Sequence, residues 1–566
     1  MKAALARGPH KSAYEFEEFL REDMASMVEK NQWMVVPYDA VADVPGLRLS
    51  PIGVVPQHAR RPRPIVDYSF YGVNDATQPN VPMDSMQFGQ AFERLIRRIV
   101  LADPAKGPVQ LLKVDLSDGF YRMWVSADDV PKLGVIFPSA DGEPPLVALP
   151  IGLPMGWTNS PPAFATGTET AADITNQAIL KGRKYPPHRL EPEIDKAEPE
   201  PPPAIEQSNV AVPVPEQPDP RLAHARRRPL QQVEVYIDDF IGAAQGNRDT
   251  LIRIRRAILH TLDSLFRPLE PGDDPNRQEP ASVKKLRRGD ATWATSKELL
   301  GWLINTHSMT LHLTERRTER LRALLYDEFP RQKKRCQVRD WHRLLGELRS
   351  MTIALPGARG LFSLLQDALR KQSDNRVALT SLIQSILDDF REIHTQLLER
   401  PTRLQELVPI QPTMHGFHDA AGHGAGGVWY PSSTSVARST ALRSGTSARR
   451  RRPKRPGPVV WRMRFPKDIQ DRLVSRSNPH GDITNTDLEL AGSIMHQECA
   501  VQCFDVRERT TLSRTDNTGT LFWQRKGSTT TEKVAADLLR HQALHQRYHR
   551  TVPLHDYEPR TLEQRS

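Results

Sequence analysis

The chain has 566 residues, enough for several domains that each bury a core of their own. Lys and Arg number 78 against 68 Asp and Glu, and the formal net charge of +10 suits a polyanionic partner. Three cysteines give no disulfide framework, no apolar run is long enough to span a membrane, and the lack of any Gly-Lys dipeptide excludes a P-loop NTPase. The N-terminus is unlike a signal peptide. We therefore expect an intracellular protein of the cytoplasm or nucleus that is not secreted and has no membrane partner.

The first predicted elements are a helix and a strand. The helix covers Ala13–Glu29 within an N-terminal extension, residues 1–50. Later, an apolar run that begins at Leu111 leads into Asp115, and Phe120 follows five residues after that aspartate. This pattern predicts a strand that ends in a carboxylate. Alternatively, Asp115 is an ordinary strand-end turn residue and Phe120 a core aromatic.

A helix and a proline-rich tract are predicted next. Ser160 and Pro161 suit the N-cap and first turn of a helix, and the residues that follow give it an apolar face: Ala171, Ala172, Ile174, Ala178 and Ile179. Residues 181–232 contain 12 of the 48 prolines and almost no aromatic residues. Such a composition cannot bury enough apolar surface to order itself, so we predict a disordered insertion at a surface turn.

The tetrapeptide Tyr236-Ile237-Asp238-Asp239 lies between two short apolar runs and predicts a hairpin with adjacent carboxylates at its tip. Neighbouring like charges are costly unless a cation holds them. Together with Asp115 they can form the two-metal clamp that phosphoryl transfer to a 3′-hydroxyl requires, and hard oxygen ligands suit Mg²⁺. The alternative is a solvated Asp-Asp turn.

Helices dominate the predicted structure after the hairpin. Apolar residues recur at helical spacing from Leu251 to Leu265. A helical region then covers residues 311–392, with one apolar face formed by Trp341, Leu344, Leu345, Leu348 and Met351. Basic residues within 331–335 suit phosphate contacts without sequence readout, or simply form a solvated face.

Five blocks, in this order, resemble the motifs of retroviral and retrotransposon reverse transcriptases. They are Arg-Pro-Ile-Val-Asp-Tyr-Ser at 63–69 with Asn74, the Asp115 strand with Phe120, Leu-Pro-Met-Gly-Trp-Thr-Asn-Ser-Pro-Pro-Ala-Phe at 153–164, Tyr-Ile-Asp-Asp at 236–239 and Leu-Leu-Gly at 299–301. The resemblance implies an α/β fold, with the α+β palm of a right-hand polymerase, fingers and a helical thumb. It also implies a nucleotidyltransferase that copies an RNA or DNA template from a primer with deoxynucleoside triphosphates.

The resemblance assigns roles to individual residues. Asp115 and Asp238 are expected to hold two Mg²⁺ (or Mn²⁺) ions, with Asp239 as a supporting carboxylate. The expected substrate-binding residues are Arg63 on the triphosphate, Phe120 as a steric gate against the 2′-hydroxyl, Met155 and Gly156 facing the nucleotide, and Tyr236.

Residues 411–566 resemble a ribonuclease H-like domain. Its candidate carboxylates are Asp419 in a strand, Glu489 in a helix and Asp516 at a later strand end. The family's fourth carboxylate follows a Gly-x-x-Asn-x-x-Ala-Asp type of stretch, which is missing here, and Asp556 is a poor substitute. We therefore expect a truncated domain with an incomplete two-metal site.

We therefore predict four domains. An N-terminal extension (1–50) is followed by the fingers and palm (51–305), the thumb and connection (306–400) and the ribonuclease H-like domain (411–566). A second disordered insertion, basic and rich in Ser and Arg, is predicted at 431–458. His496, Cys499 and Cys503 have a spacing that could suggest zinc, but one buried helix face explains them better because no fourth ligand is evident.

Two alternatives to an active reverse transcriptase remain at this point. The two insertions and the missing carboxylate favour a catalytically silent retroelement relic that still binds nucleic acid. An RNA-dependent RNA polymerase is the enzymatic alternative, although its palm usually carries Gly-Asp-Asp and lacks the aromatic gate. The sequence does not determine the oligomeric state.

Overall fold

The computed structural model describes residues 2–57, 60–140, 142–197, 228–274, 277–432, 457–529 and 534–558. These residues fall in two compact units. The first unit contains the described residues before 296, except 96–104, and the second contains 96–104 and those from 296 onward. Within the described ranges, no helix is both long and apolar enough to cross a membrane.

The first unit combines nine α-helices with eight strands in its described part, although the residues of the fifth helix from Ile96 onward belong to the second unit. The helices are α1 (Lys2–Arg7), α2 (Lys11–Glu15), α3 (Glu17–Glu29), α4 (Val73–Ala76), α5 (Ala91–Val100), α6 (Ser160–Leu180), α7 (Glu191–Asp195), α8 (Arg248–Leu265) and α9 (Val283–Leu286). The strands are β1 (Trp33–Pro37), β2 (Leu49–Gln57), β3 (Arg60–Val66), β4 (Gln110–Asp115), β5 (Gly134–Phe137), β6 (Leu146–Pro150), β7 (Gln231–Tyr236) and β8 (Asp239–Ala244).

Two sheets organise the first unit. The larger sheet has the order β1-β6-β5-β2-β3 and is antiparallel except between β2 and β5. The smaller sheet, β4-β8-β7, is entirely antiparallel. Apolar residues of this sheet share one core cluster with helices α6 and α8: Val114, Phe240, Phe164, Ile254 and Ile258. That core supports the strand ends on which the predicted carboxylates lie.

The structure corrects two details of the predicted helix α6. Ser160 is not its N-cap, because Asn159 occupies that position and the Ser160 hydroxyl donates to the Pro154 carbonyl oxygen at 2.7 Å. Ile174 was expected on the buried face, but 43% of it is exposed. The other four predicted residues of that face are buried.

The prediction of disorder over 181–232 is wrong for the part of the tract that the structure describes. Residues 182–197 contain helix α7, and its neighbourhood buries His188, Leu190 and Ile194. Arg189 forms ion pairs with Asp263 and Glu279. These ion pairs tie residues 182–197 to parts of the first unit that are distant in sequence. Strand β7 begins at Gln231, and 198–227 lie outside the described residues.

The second unit contains eight further α-helices and eleven strands in its described part. The helices are α10 (Glu315–Arg322), α11 (Val338–Met351), α12 (Ser363–Arg370), α13 (Ser381–Glu399), α14 (Lys467–Asp471), α15 (Asn485–Cys503), α16 (Thr518–Lys526) and α17 (Val534–His549). The strands are β9 (Ser296–Leu299), β10 (Trp302–Asn305), β11 (Thr310–Leu313), β12 (Arg335–Gln337), β13 (Arg376–Ala378), β14 (Thr402–Arg403), β15 (Met414–Ala421), β16 (Gly424–Pro431), β17 (Val459–Arg464), β18 (Thr510–Thr515) and β19 (Val552–Tyr557).

Helices α10 to α13 confirm most of the predicted helical region, but its first residue, Leu311, lies in β11, and the short strands β12 and β13 interrupt it. All five apolar residues predicted on one face of α11 are buried. The strands β15 to β19 form a mixed sheet of order β17-β16-β15-β18-β19, in which β15, β18 and β19 run parallel. The predicted basic insertion at 431–458 falls between β16 and β17, and its residues 433–456 lie outside the described ranges.

Candidate active site on a carboxylate hairpin

The predicted hairpin is present, and its turn is unusual. Strands β7 and β8 are joined by only Ile237 and Asp238, with Tyr236 opposite Asp239 in the ladder. The φ of Ile237 is 58°, a left-handed backbone conformation that β-branched residues rarely adopt. Such strain persists only where the surrounding structure holds it, and it is concentrated at functional sites. Here the strained turn places Asp238 at the tip.

The strand that ends in Asp115 pairs with the same hairpin. Strand β4 runs antiparallel to β8, and Asp115 lies opposite Asp239 in the register. The backbone N–H of Leu116 donates to the carbonyl oxygen of Asp238 at 2.9 Å, which fixes the turn against the end of β4. The structure therefore brings the three predicted metal-binding carboxylates to one end of the small sheet.

The electrostatics of this cluster reflect crowded, partly buried acids. Burial and a hydrogen bond with Asp115 raise the pKa of Asp239 to about 7. Burial and the charge of Asp115 also raise the pKa of Asp238. The carboxyls of Asp238 and Asp239 therefore resist ionisation, and a bound cation would favour their charged forms.

Two lysines that the sequence analysis missed supply positive charge at this site. The Lys113 Nζ lies 3.7 Å from Asp239 Oδ1 and 3.2 Å from Asp290 Oδ2. Burial acts to lower the pKa of Lys113, but the two acids outweigh it, so that this pKa is raised. The Lys285 Nζ contacts Asp115 Oδ1. Lys113 could have been found, because residues two apart in a strand share a face. Lys285 lies 170 positions from Asp115 and gave no local signal.

The donor set suits a hard divalent cation, because it consists of carboxylate oxygens with no sulfur or imidazole. The arrangement is looser than a closed site. Within the described residues, two groups of three donors have all their ligand atoms within 4.8 Å of one another, and Asp115, Asp238 and Asp239 are not one of them. Small side-chain rotations would therefore accompany binding of an ion.

The predicted nucleotide-facing loop is held by its backbone. Gly156 has φ of 101°, and a Cβ there would lie 2.7 Å from the Val66 carbonyl oxygen, so only glycine fits. The Asn74 side chain accepts from the Thr158 N–H and donates to the Gly156 carbonyl oxygen, both at 3.0 Å. Asn74 thus fixes this loop against the segment that carries the predicted triphosphate-binding arginine.

Arg63 and Met155 lie together. The exposed Arg63 guanidinium donates to the Met155 sulfur at 3.1 Å.

Phe120 lies in the short 3-10 helix Gly119–Arg122, which begins after Asp118, a residue with a left-handed backbone conformation. Its half-buried ring makes an edge contact with Phe164 at 4.7 Å between ring centroids. Phe120 therefore both contacts the core and remains partly accessible.

Tyr236 is half-buried at the end of β7. Its ring meets Phe88 edge-on, with the ring centroids 5.7 Å apart.

The basic stretch 331–335 of the second unit partly forms ion pairs within the protein, because Arg331 pairs with Asp388 at 2.7 Å. Lys334 and Arg335 are exposed.

The second predicted carboxylate group is closely assembled. Asp419 on β15, Glu489 on α15 and Asp516 just after β18 have ligand atoms all within 4.8 Å of one another. Burial and the neighbouring Asp419 raise the pKa of Glu489 to about 8. Asp556 on β19 binds Arg525 at 2.9 Å. The three carboxylates present again form an oxygen donor set that suits Mg²⁺ or Mn²⁺.

The His-Cys-Cys spacing on α15 does not make a metal group. His496 is fully buried and stacks on Trp429 with ring centroids 4.0 Å apart. Its Nδ1 accepts a hydrogen bond from the Trp461 indole at 2.8 Å. Cys499 and Cys503 pack against a neighbouring apolar cluster.

Comparisons with known proteins give only a distant likeness. No protein-family model and no curated protein match the chain. A foamy viral protease-reverse transcriptase in complex with RNA/DNA hybrid is similar, with a TM-score of 0.43, 12% identity, and coverage of 98% of this chain and 55% of that one. The same protein with dsDNA gives a TM-score of 0.43, 12% identity, and coverage of 98% and 84%. The chain thus spans about half of the first structure's length, and at these values the likeness assigns no activity.

Proposed function

We propose that the chain is a nucleotidyltransferase that extends a primer on a nucleic-acid template, as the RNA-directed DNA polymerase of a retrotransposon-like element. The observation that carries the proposal is the register that puts Asp115 opposite Asp239, with Asp238 in the adjoining strained turn. Three carboxylates at one sheet end, two of them with raised pKa, support a site built for divalent cations.

In this proposal, Asp115 and Asp238 hold the ions and Asp239 supports them. Magnesium or manganese, when bound, supplies the charge that activates the primer 3′-hydroxyl and neutralises the triphosphate. Lys113 orients Asp239 and favours its ionised form, since its ammonium lies 3.7 Å from that carboxylate. The exposed Arg63 guanidinium would bind phosphate oxygens, because its planar fork matches their geometry.

The nucleotide would lie against the backbone of the loop at Gly156. Because a Cβ at Gly156 has no room and Asn74 fixes the loop on both sides, the loop offers a rigid surface for a base or sugar. Phe120 would lie under the sugar and exclude a 2′-hydroxyl sterically. The proposed partners are therefore deoxynucleoside triphosphates and an RNA or DNA template with its primer.

Primer extension on poly(rA)/oligo(dT) with Mg²⁺ or Mn²⁺ tests the proposal. Asp238→Asn should lower the rate of synthesis by roughly 10²–10³-fold, the scale for loss of one electrostatic contact to a transition state. Template binding, measured by fluorescence anisotropy, should remain near the wild-type value. The matched control is Asp249→Asn, an exposed acid on α8 of the same unit, which should leave synthesis unchanged.

The two alternatives predict different results in the same assay. Wild-type synthesis by the Asp238→Asn variant would refute the metal assignment. A wild-type chain that binds template and primer but does not extend them would instead support the silent nucleic-acid-binding relic. A wild-type preference for ribonucleotides would support the RNA-dependent RNA polymerase.

The assembled group of Asp419, Glu489 and Asp516 favours a second candidate activity, hydrolysis of the RNA strand of a hybrid. One oxygen of each carboxylate lies within 4.8 Å of the other two, which is a closer grouping than that of Asp115, Asp238 and Asp239. This cleavage should require Mg²⁺ or Mn²⁺, because the group offers only oxygen ligands. Cleavage of a labelled RNA/DNA hybrid by the wild type, and its loss in Glu489→Gln, would support this activity.

A further inference from the structure

A group of two histidines and one glutamate lies outside both carboxylate sites. Glu498 is on α15, and His545 and His549 are on α17, one helical turn apart. The spacing i, i+4 puts both imidazoles on the same face of α17. This face is turned toward α15, as the contacts to Glu498 show.

The ligand atoms of this group converge. The Glu498 Oε2 lies 2.7 Å from His545 Nε2 and 3.9 Å from His549 Nε2. The two imidazole rings are 4.4 Å apart between centroids. All three ligand atoms fall within 4.8 Å of one another, as do those of the group of Asp419, Glu489 and Asp516.

We propose that Glu498, His545 and His549 form a binding site for a first-row transition metal ion, with zinc as the expected ion. Two imidazoles and one carboxylate are a ligand set that Zn²⁺ accepts, and three protein ligands leave a fourth coordination position for water. Mg²⁺ and Ca²⁺ prefer all-oxygen sites, so the ligand set distinguishes this site from the two carboxylate groups.

The surroundings support a built site. The side chains of His545 and His549 are 9% and 20% exposed, so the imidazoles are held in place by packing. The Gln502 amide donates to the other Glu498 oxygen, Oε1, at 2.6 Å. Such an outer hydrogen bond orients a ligating carboxylate and is a usual part of metal sites.

A bound ion would join α17 to α15. Leu490 of α15 packs with Ala535 and Leu539 of α17 in a small apolar cluster. Helix α17 also contacts α13, where Arg540 pairs with Asp389 at 2.6 Å. A metal tie would therefore stabilise the docking of α17, and removal of the metal should lower the thermal stability of the second unit.

Cobalt substitution tests the site directly. The EDTA-treated full chain is titrated with Co²⁺ and its visible absorption recorded, then zinc is added to displace the cobalt. We expect one Co²⁺ per chain with the strong absorption of a four-coordinate site. The melting temperature should rise with zinc. The His545→Ala and His549→Ala variants should lose both effects, whereas His541→Ala, an exposed histidine one turn earlier on α17, should keep them.

Two milder variants decide the matter if a histidine variant does not fold. Glu498→Gln keeps the size of the side chain and should abolish the cobalt spectrum. Gln502→Ala should weaken zinc binding about 10- to 100-fold, the usual effect of losing an outer-sphere partner. Absence of a four-coordinate cobalt spectrum in the wild type, or wild-type binding by Glu498→Gln, would overturn the proposal and leave a simple histidine–glutamate ion pair.

Discussion

A buried ion cluster in the second unit gives the sharpest stability prediction. Glu406 is completely buried and accepts from Arg400 Nη1 at 2.7 Å and from the Arg403 backbone N–H at 3.2 Å. Its other oxygen lies 3.7 Å from the guanidinium of Arg547, which is 3% exposed. The perturbation is Glu406→Gln, which preserves the shape and removes the charge.

The expected loss follows from the burial of this cluster. Two unit charges about 4 Å apart interact by about 4 kcal/mol at an effective dielectric constant of about 20. Removal of one partner of a buried pair leaves an uncompensated charge and typically costs about 3–5 kcal/mol. Little solvent reaches the buried guanidinium of Arg547 to replace the lost carboxylate, and the same burial lowers the pKa of Arg547 to about 10. We therefore expect Glu406→Gln to destabilise the second unit by about 3–5 kcal/mol.

Urea unfolding followed by circular dichroism measures this loss, and hydrogen exchange of peptides from α17 localises it. The matched control is Asp482→Asn, which removes the carboxylate of an exposed ion pair with Arg472 in the same unit. Exposed pairs contribute little to stability, so this control should unfold nearly as the wild type does. If Glu406→Gln unfolds at the same urea concentration as Asp482→Asn, the reasoning from burial is refuted.

Three further predictions concern other regions. Burial lowers the pKa of His394, so as the pH falls from about 6.5 to that lowered pKa, the unfolded chain binds this proton and the folded chain does not. His394 should therefore remove up to about 1.4 kcal/mol of stability per pH unit in that window, and His394→Gln should take this contribution out of the slope of acid-unfolding curves. Phe120→Val should raise the ratio of kcat/KM for ribonucleotides to that for deoxyribonucleotides on one primer–template. Leu190→Ala should destabilise the first unit by about 2–5 kcal/mol in urea unfolding, because Leu190 is buried in its core.

A control variant or a contrary result distinguishes each of these three predictions from its alternative. His342→Gln, at an exposed histidine of α11, should leave the acid slope unchanged. An unchanged sugar preference with a lower melting temperature would make Phe120 a core residue only, as its contact with Phe164 allows. Leu265→Ala, at a leucine that is 41% exposed, should destabilise far less than Leu190→Ala. Equal effects would mean that residues 182–197 do not pack as described.

Local patterns predicted the hairpin and the helix faces well. Short apolar runs on both sides of the Tyr-Ile-Asp-Asp turn indicate a strand pair, and the apolar face of α11 follows from 3.6-residue spacing. The errors also have local causes. At Ser160, the hydroxyl found a carbonyl partner in the preceding loop, and at Ile174 the apolar period extended beyond the surface that the core covers.

Composition misled the prediction for residues 182–197. Their prolines and charges indicated disorder, yet Leu190 and Ile194 are buried and Arg189 binds acids from two other segments. A disorder prediction counts the residues of a segment only. It cannot include partners such as Asp263 and Glu279, which lie more than seventy positions away.

The sequence by itself therefore determined the strands and the turn that bear Asp115, Asp238 and Asp239, and it predicted these carboxylates as the metal-binding residues. The tertiary structure alone decided how those residues meet, through the register of β4 on β8 and the two lysines beside them. It also brought Glu498 next to His545, 47 positions apart. The physical reason is that periodicity and turn chemistry act over a few residues, whereas pairing between distant segments depends on shared burial and complementary charge, which no local stretch encodes.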